Sequence, residues 1–278
     1  MAATVQELIN ILQQIAPDSL AEEWDNVGLL VGNPSQSVTK ILLALDPSPT
    51  LIEQAVVNSC ELVITHHPAI FRPLKSLRTD TPTGKFLALA LQHNIAIIGC
   101  HTNLDATSGG VSDVLAAKLG LENLVPLLPN KNGCAEQEAC GLGRIGTYPA
   151  PRSTTDFIHT LQQATQAPWL LEAGPRPESI AKVAVCGGSC GDFAELAQSS
   201  GVDVFVTAEI KHNVARWAED ASFWLIDGGH FATENPAMEL LKQHLQKALY
   251  DAEINVTIML AEQTSPLRLI QEHQPPAM

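Results

Sequence analysis

The chain has 278 residues, of which 45% are hydrophobic, and carries a net charge of −14. That length and apolar content suit one large or two smaller globular units and exclude a disordered chain. The acidic balance argues against nucleic acid as a partner, and no apolar run approaches the roughly 20 residues a membrane span needs.

In chain order, VQELINILQQIA (5–16) has helical spacing, and KILLALD (40–46) reads as a buried strand followed by a helix in PTLIEQAVVNS. ELVITHH (61–67) is the next strand, GKFLALALQHN (84–94) a helix, and IAIIGCHTNLD (95–105) a strand that ends polar. GGVSDVLAAKLGL (109–121) is a helix opened by a glycine turn. Unbroken apolar strands alternating with helices predict a largely parallel or mixed sheet with both faces covered. The pattern breaks over 122–140, in a stretch with prolines and no period, which marks a boundary. A second α/β run follows. Its strands are GLGRIGTYP, APWLLEA, KVAVCGGS, VDVFVTAEI and SFWLIDGGH, and INVTIML (254–260) is the last strand before a tail expected to fray. The fold class is therefore α/β with two units, 1–125 plus 225–278 and 126–224.

The N-terminus lacks a basic stretch followed by an apolar run, so no signal peptide is read and the expected compartment is the cytoplasm. Cysteines stand at 60, 100, 134, 140, 186 and 190, and in such a chain no disulfide framework is expected. Cys186 and Cys190 form a C-x3-C around GGS, without the second pair a zinc knuckle needs.

Ligands of open α/β sheets gather beyond the carboxyl ends of strands. The polar residues ending the apolar runs are Asp46; His66 and His67; His101 and Asp105; Glu209 and His212; and Asp227, His230 and Glu234. In ITHHPAIF (64–71) two histidines precede a proline that fixes the exit from the strand, so both rings can turn to one cavity. In HFATE (230–234) His230 and Glu234 are four residues apart at a helix start, one turn apart on one face. HTNLD repeats that separation with His101 and Asp105.

The set His66, His67, Asp105, His230 and Glu234 offers nitrogen and oxygen donors suited to zinc, iron, manganese or nickel. Five ligands suit two divalent ions about 3.5–4 Å apart better than one. Asp25 and Asn26 read first as turn formers and second as residues facing the site. Asp46 reads equally as a helix cap or as a partner of a ligating imidazole, and GGS (187–189) as a weak anion loop. Lys211 and His212 are secondary candidates.

These blocks, together with EEWDNVGLLVG (22–32), LALDPSPTLIEQAV, CHTNLDATSGGVSDVLAAKLGL, GLGRIG, GGSCGDFAELAQSSGVDVFVTAEIKHN and DGGHFATE, resemble the NIF-three-like family nearly end to end. That family comprises dinuclear-metal-centre hexameric proteins, often labelled GTP cyclohydrolase one type two homologues. The resemblance implies a two-domain α/β subunit with a NIF-three-like fold, a toroidal homohexamer, and two metal ions on the five residues above. It also implies His101 beside them, as a group supporting the ligands or as a proton carrier, and a small-molecule hydrolase, with GTP ring opening as the family label. A non-enzymatic metal-storage, delivery or scaffold role is the alternative. The chain departs from the family in lacking the inserted middle domain and in reading TAEIKHN where Thr-Gly-Asp-Ile-Lys-His-His is commonest.

Overall fold

Local signals set the helices. Thr4 and Glu7 form a capping box at the head of the Val5–Ile15 helix. Ser48 with Pro49 opens Pro49–Val57, and Thr81 with Pro82 opens Pro82–Gln92. Gly120, at φ 72°, closes Val111–Leu119 in the left-handed conformation a glycine adopts at least cost. The structure is a computed structural model and describes residues 3–130 and 140–270.

Two sheets result. The five-stranded sheet runs Thr257–Leu260, Lys40–Ala44, Leu62–Thr65, Ala96–Gly99 and Gly28–Val31. Its first four strands are mutually parallel, and Gly28–Val31 is antiparallel to its neighbour. The six-stranded sheet runs Glu122–Pro129, Gly141–Ser153, Ser179–Val185, Val204–Thr207, Trp224–Asp227 and Leu171–Ala173. Its centre, Ser179–Val185 through Trp224–Asp227, is parallel. The fold is the mixed α/β class expected.

Successive side chains point to opposite faces of a strand, and both faces are buried. Ile41 and Leu43 join a core with Leu8 and Leu12 from the first helix and Leu241 and Leu245 from the Ala237–Asp251 helix. Leu42 and Ala44 join another with Leu51, Ile52, Phe86 and Leu87 from the two helices opposite. The second sheet repeats this, with Val204 and Val206 on one side and Phe205 on the other. Burial on both sides explains why these strands read as continuous apolar runs.

Three differences from the sequence reading have physical reasons. The aperiodic 122–140 stretch begins with a strand, Glu122–Pro129, and that strand lies at the sheet edge. An edge tolerates proline because one row of backbone donors needs no partner. The Gly28–Val31 strand was not foreseen, because it is short and bounded by Gly28 and Gly32, both at positive φ. Cys140 is disulfide-bonded, against the expectation for the cysteines, whereas Cys60, Cys100, Cys186 and Cys190 are free. Cys134 and the tail expected to fray lie outside the described residues. Among the described residues no helix is long and apolar enough to cross a membrane.

Arg144, only 2% exposed, ties the Gly141–Ser153 strand to the Val111–Leu119 helix and the turn before it. Its guanidinium donates to Asp113, to the carbonyls of Gly141 and Gly143, and to the Thr107 carbonyl. Arg144→Ala would leave Asp113 and three carbonyls without this donor. The expected cost is about 3 kcal/mol or more of unfolding free energy, read by urea denaturation; a change below about 1 kcal/mol would contradict it.

Candidate metal centre

Sheet register brings the candidate residues level with one another. Ala44 pairs with Thr65, and Thr65 with Gly99. Asp46, His67 and His101 therefore leave the sheet at one height, each two residues beyond a paired position. The ladder continues past the strands, from His66 N to Ala44 O (3.1 Å), from His67 N to Leu45 O (2.9 Å) and from Cys100 N to Thr65 O (2.9 Å). The Thr65 hydroxyl donates to the His67 carbonyl at 2.7 Å and fixes the turn. In the other sheet Thr207 pairs with Asp227, which places Glu209 near the start of the His230–Glu234 helix.

The two strand ends meet. His67 Nε2 lies 3.2 Å from His230 Nε2, and both lie 3.1 Å from Glu234 Oε2. His66 Nε2 is 3.6 Å from Asp105 Oδ1 and 3.8 Å from Glu234 Oε1. The structure thus brings His66, His67, Asp105, His230 and Glu234 together. His101 stands beside them, its ring centroid 5.2 Å from that of His66 and 5.6 Å from that of His67. Two overlapping groups have ligand atoms within 4.8 Å of one another: His66, His67 and His101, and His67, His230 and Glu234.

All four imidazoles are oriented alike. Nδ1 of His66 donates to the Cys100 carbonyl at 2.9 Å. Nδ1 of His67 donates to Asp46 at 2.7 Å, that of His101 to Asp25 at 2.9 Å, and that of His230 to Glu209 at 3.0 Å. An acceptor on Nδ1 fixes the tautomer and turns the Nε2 lone pair inward, the usual arrangement behind metal-ligating histidines.

The inward atoms lack partners of their own. His66 Nε2, Asp105 Oδ1 and Glu234 Oε2 are buried without a hydrogen bond, although Glu234 Oε2 sits within ion-pair distance of two rings. Orphaned buried polar atoms are costly, and two imidazole lone pairs facing each other repel unless a proton or cation sits between them. Imidazole and carboxylate donors in this arrangement fit divalent metal ions.

The electrostatics agree. Burial disfavours the charged form of His67, but Asp46 and Glu234 outweigh it and raise the imidazole to about 10. Burial likewise opposes charge on His230, and Glu234 leads the groups that raise it to about 9. Burial opposes charge on Glu234 as well, yet His230, His66 and His67 hold it well below the usual carboxylate range. Asp105 moves the other way: burial raises it, and the nearby histidines compensate only in part.

Several supporting residues were read less well from the sequence. Asp25 faces the site as well as ordering its turn: one oxygen takes His101 and the Asn26 N–H, the other the Thr102 N–H at 3.0 Å. Asp46 orients His67, while Ser48 caps the following helix. Gln263 clamps Asp46, accepting its N–H and donating to its carbonyl. The GGS loop has no free donors at its glycines, since Gly187 N and Gly188 N are taken by Ser112 and Thr233 hydroxyls. Its role is steric: a Cβ on Gly188 would stand 2.1 Å from Glu234 Oε1, and Gly188 has φ 71°. Lys211 pairs with Asp192 and His212 is exposed, so neither joins the cluster.

Comparison with known proteins shows the family and the fold. The chain is 32% identical over 262 residues to a GTP cyclohydrolase 1 type 2 homolog of Clostridium acetobutylicum, covering 94% of this chain and 97% of the relative. It is similar to the crystal structure of the hypothetical protein SA1388 of Staphylococcus aureus, with a TM-score of 0.88 at 29% identity over 96% and 99% of the two chains. A Bacillus cereus protein related to NIF3 shares the fold at a TM-score of 0.89 and 23% identity, over 96% and 99% of the chains. The Duf34/NIF3 (NGG1p interacting factor 3) family model matches residues 3–266, and the chain belongs to that family.

Proposed function

We propose that this protein holds two divalent metal ions on His66, His67, Asp105, His230 and Glu234 and hydrolyses a small molecule there. The observation that carries the reading is the convergence of five side chains from separate segments, with buried donor atoms left unpartnered. When bound, such a pair supplies Lewis acidity and lowers the pKa of water towards neutrality. Zinc, iron, manganese and nickel all suit the donors. Glu234, within reach of three imidazoles, would be among the residues that hold the ions. His101, held by Asp25, is the proton carrier: Nδ1–H is fixed on the carboxylate and Nε2 is left to take or give a proton. The curated relatives are named for GTP ring opening, but a triphosphate needs several lysines or arginines near the metals and the ligand blocks supply few, so hydrolysis of another small molecule is the reading carried forward; family resemblance supports a homohexamer as the assembly.

The test is metal per chain, anomalous scattering from a loaded crystal, and turnover of candidate substrates. His101→Ala that keeps its metals and loses turnover supports hydrolysis; metals retained with no turnover of any candidate favours storage or delivery. Asp25→Asn is expected to leave metal content unchanged, lower turnover roughly 10–100-fold, and shift the pH profile. An unchanged pH profile would remove Asp25 from the mechanism.

A further inference from the structure

Beside the metal ligands lies a cavity of about 370 Å³, lined by His67 and His230, by Trp169 and Phe231, and by Asp46 and Glu209. The rest of its wall is aliphatic, glycine or serine, and among the described residues no lysine or arginine lines it. Trp169 sits in the loop between the Thr154–Thr165 helix and the Leu171–Ala173 strand. Its ring edge comes within 3.7 Å of where a Gly229 Cβ would stand, so the indole overhangs the start of the His230–Glu234 helix. It also lines a neighbouring cavity of about 450 Å³, whose one lysine, Lys118, is accompanied by Glu239.

The charges around this cavity select against anions. Two divalent ions bring four positive charges, and Asp25, Asp46, Asp105, Glu209 and Glu234 bring five negative ones. The loaded centre is then close to neutral, inside a chain of net charge −14. A triphosphate finds no cationic clamp and no favourable field there. A flat, uncharged ring finds an indole to stack on. Asp46 and Glu209 each engage a histidine through one oxygen, and the second oxygen is available to accept an N–H.

We propose that this cavity is the substrate pocket of the metal centre and that it takes an uncharged nitrogen heterocycle stacked on Trp169, to the exclusion of nucleoside triphosphates. The proposal rests on the metal-centre reading above and names its substrate class. Guanosine and GTP are suitable probes, since they share one ring system and differ in charge. Titrated calorimetrically into the metal-loaded full chain, guanosine is expected to bind at least tenfold more tightly than GTP. Trp169→Ala is expected to weaken guanosine binding at least tenfold with metal per chain unchanged, and Trp169→Phe, which keeps an aromatic face, to stay within about threefold of the parent. GTP binding as tightly as guanosine, or guanosine binding indifferent to Trp169→Ala, would overturn the proposal. Metal per chain separates the two readings: a loaded chain that ignores guanosine sinks the pocket alone, whereas a chain that takes up no metal sinks both.

Discussion

Glu234→Gln is expected to abolish binding of the metal pair, with affinity falling about 100-fold or more and metal per chain dropping to one ion or none. The substitution keeps the shape of the side chain and removes its charge. Glu234 stands within 3.8 Å of the inward nitrogens of His66, His67 and His230, and among the described residues it is the one carboxylate shared by all three. Without its charge two imidazoles at 3.2 Å lose the anion that lets a cation sit between them. Gly188→Ala attacks the same carboxylate from its other side, because the added methyl occupies the place of Oε1 and the backbone there is left-handed. Both variants should lose metal, and only Gly188→Ala should also lose fold stability through backbone strain. Metal content measured by plasma mass spectrometry decides the matter. A Glu234→Gln chain that still carries two ions would remove Glu234 from the centre.

The clustered residues are legible in the sequence because they obey a local rule: polar residues at the ends of parallel strands, with His230 and Glu234 one helical turn apart. The residues that hold them were not, because their partners are distant in sequence. Asp25 reaches His101 across 76 positions, and Gln263 reaches Asp46 across 217. A local reading of Asp25 sees only the Asn26 turn, which also exists. In the sequence the GGS segment reads only as a weak anion loop, since the carboxylate that Gly188 makes room for lies 46 residues away by sequence number. Strand prediction failed where composition opposes it, at the proline-bearing edge strand Glu122–Pro129, and succeeded in the doubly buried strands whose apolar runs leave no alternative. Local chemistry thus names the donors, and tertiary register names what orients them.

Metal affinity should climb steeply with pH, about tenfold per unit for each proton displaced. In the metal-free protein His67 titrates near 10 and His230 near 9, so at pH 7 both carry protons, held by Asp46, Glu209 and Glu234. An incoming ion needs those nitrogens unprotonated, whereas Glu234 is already ionised. Two protons leave on binding, and apparent affinity should rise about 100-fold per unit up to about pH 9. Calorimetry at pH 7.5 in two buffers of different ionisation heat would count them. Stability follows the opposite sign without metal. Both imidazoles are raised above the ordinary 6.5, so their contribution is fully present below that pH and is lost as pH rises through about 9 to 10. The melting temperature of the metal-free chain should therefore fall between pH 6.5 and 10 while that of the loaded chain holds, and the gap between them should widen. Binding without proton release at pH 7.5 would mean that His67 and His230 are not displaced by the ions, and the pair would have to sit elsewhere.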